Sequence, residues 1–471
     1  MNAQLQMIPQ PQTEPTQSQT QLNIPRWNLA VRIAFRFSMI YLGLYCLVTQ
    51  NVASLFNADE GAVIPDPATI WPLRPVISWT AAHILHVNAP LTAYWGSNSS
   101  TADDMFGWAT AFCVLMIATA ATVVWSLLDR SRENYAALHK WFRLFVRFAL
   151  AGQMLMYGFA KVIPIQMGHP KLTWLLQPLG AFSPMATLWN SMGSAPAYEI
   201  FTGCAEVAGG LLLIVPRTTT LGALISLASM IQVFVLDMTY DVPAKLLAFH
   251  NFLLACFLLA PEVPRLVRFL LLNRATAPST QVQLFRRVRA NRIALAAQII
   301  FGLWLVGMNF QDCWSYWRTE GDGRPLPPLY GIWEVHQMSI DEQLRPPLLT
   351  DSTRWRRAIF DLPSRNCAEP YTQVRYTQAS LCMTFQRMDE SFVPYGASVK
   401  LPERTIALTQ SDDKNWTANF TFQRPAEDQL ILDGRMDNHQ VHMELQLTDR
   451  NKFPLISRGF HWTTETPFLR N

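Results

Sequence analysis

Residues 198–215 read YEIFTGCAEVAGGLLLIV, a run long enough to cross a bilayer, with one carboxylate, Glu199, at its start and another, Glu206, near its middle. A carboxylate at that depth must be protonated, paired or hydrated, because an unpaired charge in hydrocarbon costs several kcal/mol. The run belongs to a block from Phe142 to Leu272 of four membrane-length segments, which also carries Lys161, Asp237, Asp241, Lys245 and His250. Ionisable side chains gathered in such segments are the strongest functional signal in the chain.

The rest of the chain fits that reading. Half of its 471 residues are hydrophobic, only 15% are charged, and there are 16 tryptophans, a composition too apolar for a soluble protein of this size. Hydropathy gives seven candidate spans: Trp27 to Val48, Met105 to Leu128, Phe142 to Ile165, Tyr198 to Val215, Leu221 to Tyr240, Pro243 to Ala260 and Arg292 to Phe310. Arginines cluster before the first span and in alternate connections, most densely from Arg265 to Arg292. By the positive-inside rule the N-terminus is then cytoplasmic and the C-terminus lies outside, in an inner-membrane protein. This distribution argues against a nucleic-acid surface. Residues 1–24 read as a disordered cytoplasmic tail, and residues 25–141 as two spans with a long outer loop. An interfacial helix is expected in that loop over Ile70 to Leu91, where His83 and His86 are spaced as a helical pair without a third metal ligand. The loop from Pro164 to Ala197 either lids the bundle or forms an aromatic belt.

Residues 273–310 hold the basic loop and the seventh span, and residues 311–329 read as a linker ending in RPLPPL. From Tyr330 to Asn471 the pattern changes to period two. Val441, Met443, Leu445 and Leu447 alternate with polar residues, as do Ala418, Phe420 and Phe422, and Asp433-Gly434 and Asp437-Asn438 supply turn chemistry. Eight to ten short strands predict a closed β barrel or a sandwich. Gly331-Ile332-Trp333 on the first strand and Arg458 near the end resemble the GxW strand and late arginine of lipocalin-like barrels. The resemblance implies that the Arg458 guanidinium stacks on the Trp333 indole. Cys367 and Cys382 form a candidate disulfide on the oxidising side.

At 1.5 Å per residue, Glu206 and His250 lie about 12 Å inside the outer surface and Lys161 and Asp237 within about 7 Å, which allows one shared site. Gln153, Tyr157 and Lys161 form one helical stripe, and Glu199, Thr202 and Glu206 another. Asp241 and Lys245 stand one turn apart, with Asp241 also suited to capping the sixth span. His250 is about 140° round the helix from Lys245. Glu206 beside Lys161 or His250 could act as acid or base toward a lipophilic carbonyl or quinone; the same pair could equally lock the bundle, and the lysines could snorkel.

Tyr157-Gly158-Phe159-Ala160-Lys161, Glu206 to Val215 and the small-residue run Thr218 to Leu227 resemble the DoxX family of four-helix membrane proteins, over about Phe142 to Leu266. The aromatic-to-Lys161 motif is similar, over fewer residues, to the membrane domain of vitamin K-dependent carboxylases. The DoxX resemblance implies a membrane bundle linked to quinone-coupled sulfur oxidation or oxidant resistance, with Lys161 and Glu206 as characteristic polar residues. The extra spans and the barrel depart from the basic form. There is no Walker motif, GxGxxG, CxxCH or nucleophile elbow, so redox chemistry would use quinone or a partner subunit. The expected protein is an all-α membrane bundle with an outer β barrel. Its catalytic candidates are Glu206, Lys161 and His250, and its ligand-binding candidates Gln153, Tyr157, Thr202, Asp237, Asp241 and Lys245. Capture of an apolar ligand or protein by the barrel is the alternative.

Overall fold

Polar caps set where several helices begin. Asn28 accepts a hydrogen bond from the Val31 N–H at 2.8 Å and opens α1 (Leu29–Val48), which is followed by the single turn α2 (Gln50–Ala53). α3 (Leu73–His83) falls within the expected interfacial segment; His83 stacks on Trp79 at 4.9 Å. Asp104 caps α4 (Met105–Leu128), and Ser183 with Pro184 opens α6 (Pro184–Gly193). Between them lies α5 (Ala136–Val162); α7 (Pro196–Ile214), α8 (Thr219–Thr239) and α9 (Lys245–Leu259) follow. α9 runs through a short α10 (Val263–Leu266) into a π turn, and α11 (Val288–Thr319) completes the helical part. A computed structural model of the chain describes residues 26–56, 66–87, 103–276, 283–362, 380–410 and 416–464.

Six of these helical segments are long and apolar enough to cross a membrane, which makes this a multi-pass membrane protein: Leu29–Val48, Met105–Leu128, Pro196–Ile214, Pro216–Thr239, Lys245–Leu271 and Val288–Thr319. α5 carries Arg143, Arg147 and Lys161 and is more charged than these, yet it is the bundle's central element, with fully buried Val146, Leu150 and Leu155. It meets α7 backbone to backbone. A Cβ on Gly158 would stand 2.8 Å from the Val207 nitrogen, and one on Gly203 would stand 2.7 Å from the Lys161 Cβ. Only hydrogen at both positions permits that approach, and it sets Lys161 against Glu206.

α11 runs nine residues past Phe310, where the expected span ends, so half of the expected linker is helix. Trp314 and Trp317 stack at 5.1 Å along this extension. The chain turns at Gly323, where a Cβ would lie 2.4 Å from the Trp317 ring.

The C-terminal domain is an up-and-down antiparallel barrel. Its strands are β1 (Gly331–Ile340), β2 (Gln343–Leu344), β3 (Trp355–Asp361), β4 (Ser380–Arg387), β5 (Phe392–Lys400), β6 (Thr405–Thr409), β7 (Thr417–Ala426), β8 (Gln429–Met436) and β9 (His439–Leu447). Neighbours pair in sequence, apart from the short β2 beside β1, and β1 closes on β9 from Trp333↔Leu447 to Ile340↔Val441. Inward residues alternate as read from the sequence: Ala418, Phe420 and Phe422 are buried, as are Val441, Met443 and Leu445. The interior is filled by Trp333, Trp355, Phe360, Phe385, Phe420 and their aliphatic neighbours.

Two expectations about this domain change. Asp437 and Asn438, both at positive φ, make the turn between β8 and β9, but Asp433 and Gly434 lie inside β8. Gly434 is there because a side chain would collide with the Asn419 carbonyl of β7. Arg458 caps the end of the single turn α12 (Pro454–Ser457) and is on no strand. The Arg424 guanidinium of β7 lies over the Trp333 ring at 5.8 Å, and the indole N–H donates to the Leu329 carbonyl at 2.9 Å. Cys367, and with it the candidate disulfide to Cys382, lies outside the described residues.

Candidate functional site

The approach of α5 to α7 places the Lys161 ammonium 2.8 Å from both carboxylate oxygens of Glu206, and both side chains are buried. A two-oxygen, charge-assisted contact of this kind is among the few forms in which two charges persist away from water. The pair is not packed over. It lines a cavity of 90 Å³ whose other walls come from α8 (Met230, Val233, Leu236) and α9 (Leu247, Ala248). The loop before α6 and α6 itself cover it with Met167, Leu188, Trp189 and Met192. The Trp189 indole N–H is held by the Gln166 carbonyl at 3.2 Å, so the segment from Pro164 to Ala197 lids the bundle. The volume suffices for several waters or a small ring.

Asp237, near the end of α8, lines the same cavity. It is only 5% exposed, and its Oδ2 has no hydrogen-bond partner among the described residues. A buried carboxylate oxygen without a donor points to a missing hydrogen-bonding group. Asn251 of α9 and Thr202 of α7 add to the polar lining. Asn251 accepts from the Asn51 amide at 3.0 Å, and the Thr202 hydroxyl donates to the Glu199 carbonyl at 2.8 Å. Tyr157 lines the cavity and accepts from the Gln50 amide at 2.9 Å.

Lys161, Glu206, Tyr157, Thr202 and Asp237 thus converge as expected. Others do not. Gln153, one turn before Tyr157, donates to the Ser54 hydroxyl at 2.7 Å and lies behind the site. His250 faces α1: its ring stacks on Tyr45 at 3.5 Å. Its Nδ1–H donates to the Leu246 carbonyl at 2.6 Å, which leaves Nε2 to accept from the Tyr41 hydroxyl at 2.8 Å. The α9 face that lines the cavity carries Leu247, Ala248 and Asn251, so His250 lies off it and is not placed to act there as an auxiliary acid or base. Asp241 sits at φ 54° and forms an exposed ion pair with Lys245 at 3.0 Å. The cap of α9 is Asp103 instead, whose carboxylate oxygens accept from the Lys245 and Leu246 N–H groups at 2.7 Å each. Asp103 lies 142 residues away in sequence, so no local capping pattern announces it.

Two buried arginines carry no catalytic geometry. Arg36 donates to the Tyr135 hydroxyl and the Asp129 carbonyl, and Arg147 to Gln298 and the Ile214 carbonyl. Both tie helices together.

No family model matches the chain, and no solved structure matches it. An uncharacterised protein of Bacillus subtilis (strain 168), YwoB, is 30% identical to it over 103 residues, which is 21% of this chain. The chain spans 61% of the length of that relative.

Proposed function

We propose that the chain is a DoxX-type membrane protein whose cavity binds the headgroup of a lipophilic carbonyl compound of the quinone class and exchanges protons with it. The observation that carries this reading is the Lys161–Glu206 pair exposed to an apolar-walled cavity, with the unpartnered Asp237 oxygen at the same cavity. Lys161 can donate to a carbonyl oxygen, and Asp237 can accept from a hydroxyl. Conversion of a quinone to a quinol consumes two electrons and two protons. In this reading the protons pass by way of Asp237 and the Lys161–Glu206 pair, and the electrons come from a partner redox subunit.

α5 counts as a seventh span, since it is 27 residues long and enclosed by the other helices. The arginines between Val263 and α11 then face the cytoplasm. The cavity and the barrel open toward the opposite, periplasmic side of the inner membrane. The barrel's filled interior favours the bundle over the barrel as the place where a small ligand is held, and leaves the barrel's outer surface for a partner protein.

The test is organic extraction and mass spectrometry of the detergent-purified full-length protein. A quinone should accompany the wild type and be lost from folded Glu206→Gln and Asp237→Asn variants. Equal recovery from all three, or none from any, removes this reading.

A further inference from the structure

A second opening lies at the other end of the bundle, near the start of α11. It is a groove of 470 Å³ between α5 and α11. One wall is Trp141, Leu144 and Phe148, and the other is Ala290, Ala294 and Ala297, whose small side chains leave the space unfilled. Phe285 meets Trp141 edge to face at 5.6 Å and bounds one end. The one polar side chain at the groove, Gln298, already receives a hydrogen bond from Arg147. The lining therefore offers an occupant nothing but hydrocarbon contact.

The charge beside the groove is of one sign. Between Val263 and Gln311 the sequence contains seven arginines and no acidic residue. Arg286, Arg287, Arg289 and Arg292 are exposed, and none forms an ion pair with a carboxylate among the described residues. They alternate with Leu284, Phe285, Ala290 and Ile293, which line the groove, so cationic and apolar surfaces share one short segment. Lys140 of α5 donates to the Leu284 carbonyl at 2.6 Å and fixes that segment against α5. A cationic rim without carboxylate partners among the described residues, next to an open apolar groove, matches one kind of occupant, an amphiphile with an anionic head.

We propose that this groove is a binding site for an anionic phospholipid, with an acyl chain between α5 and α11 and the phosphate among Arg286, Arg287, Arg289 and Arg292. The site is separate from the Lys161–Glu206 cavity and does not depend on what that cavity binds.

The experiment is native mass spectrometry of the full-length protein in detergent, delipidated and titrated with phosphatidylglycerol or phosphatidylcholine of matched chains. The wild type should bind phosphatidylglycerol about tenfold more tightly. The triple variant Arg286→Gln, Arg287→Gln, Arg289→Gln should lose that preference. Ala297→Trp, which fills the groove from an exposed helix position, should weaken phosphatidylglycerol binding about tenfold, and Ala294→Leu should do so to a smaller degree. Each variant is scored only if its thermal unfolding matches the wild type within a few degrees; Ala294→Leu supplies the groove test if Ala297→Trp does not fold. Equal binding of the two lipids by the wild type, a preference surviving in the triple variant, or full binding by the groove variant that folds overturns the proposal. Competition by free glycerol phosphate as effective as by the lipid also overturns it, because the groove would then contribute nothing.

Discussion

The Leu172 N–H donates a 2.8 Å hydrogen bond to the Asp361 carboxylate, joining the loop after α5 to the end of β3 across 189 residues. The Leu172 side chain is fully buried against Ile332 and Ile359 of the barrel. Leu172, with Leu175 and Leu176 packed beside it, thus seats the C-terminal domain on the membrane part. Leu172→Ala should cost about 2–3 kcal/mol at this joint, the range for a buried leucine truncation whose surroundings partly relax. Limited proteolysis between Thr319 and Gly331 would read it as faster cleavage; unchanged cleavage would mean that the joint is held elsewhere.

The same joint depends on pH through His169, whose Nδ1 lies 2.7 Å from Asp322. The hydrogen bond to Asp322 is the main cause of a raised His169 pKa. A histidine with a raised pKa contributes stability that is complete below its ordinary value of about 6.5 and fades as pH rises through the raised value. Amides around Gly168 to Leu172, corrected for intrinsic exchange, should be better protected at acidic than at alkaline pH. His169→Gln should flatten that profile, and a profile as steep as the wild type's would exclude the pair as its source.

Lys161 and Glu206 test the bundle. Removing one partner leaves the other charge buried and alone, so Lys161→Met or Glu206→Leu should each destabilise the protein by about 3–5 kcal/mol. The double variant should recover most of the loss, because two apolar side chains of similar size can replace a buried pair. Thermal unfolding in detergent provides the comparison. If the double variant folds well yet retains no ligand, the pair serves the cavity rather than the fold.

Asp103→Ala removes two N-cap hydrogen bonds from α9 at once and should cost about 1–2 kcal/mol. Asp241→Ala, which removes only an exposed ion pair, should change stability by less than about 1 kcal/mol. Equal losses in a paired unfolding measurement would reverse the assignment of the cap.

Much of this was legible because its physics is periodic. Apolar runs located α1, α4, α7, α8 and α9 to within a turn at each end, alternation located β7 and β9, and four-residue spacing placed Tyr157 and Lys161 on one face. What escaped was long-range. Asp103 as the cap of α9, Arg424 over Trp333 and Arg147 on Gln298 join residues far apart in sequence, and no local pattern encodes the partner. His250 misled for a related reason: a buried histidine has the same composition signature whether it faces a cavity or two tyrosines. The extension of α11 was hidden by a change of hydropathy that ends the apolar run while the helix itself continues.

That extension has a mechanical meaning. Thirty-two residues of unbroken helix span about 48 Å, some 18 Å more than a hydrocarbon core. With Leu172 pinning the barrel from a second point, the barrel has neither the slack of a tether nor free rotation about one. Any protein that grips it will meet the bundle at a fixed height and bearing, and the torque it exerts is delivered to the helices and not lost in a loop.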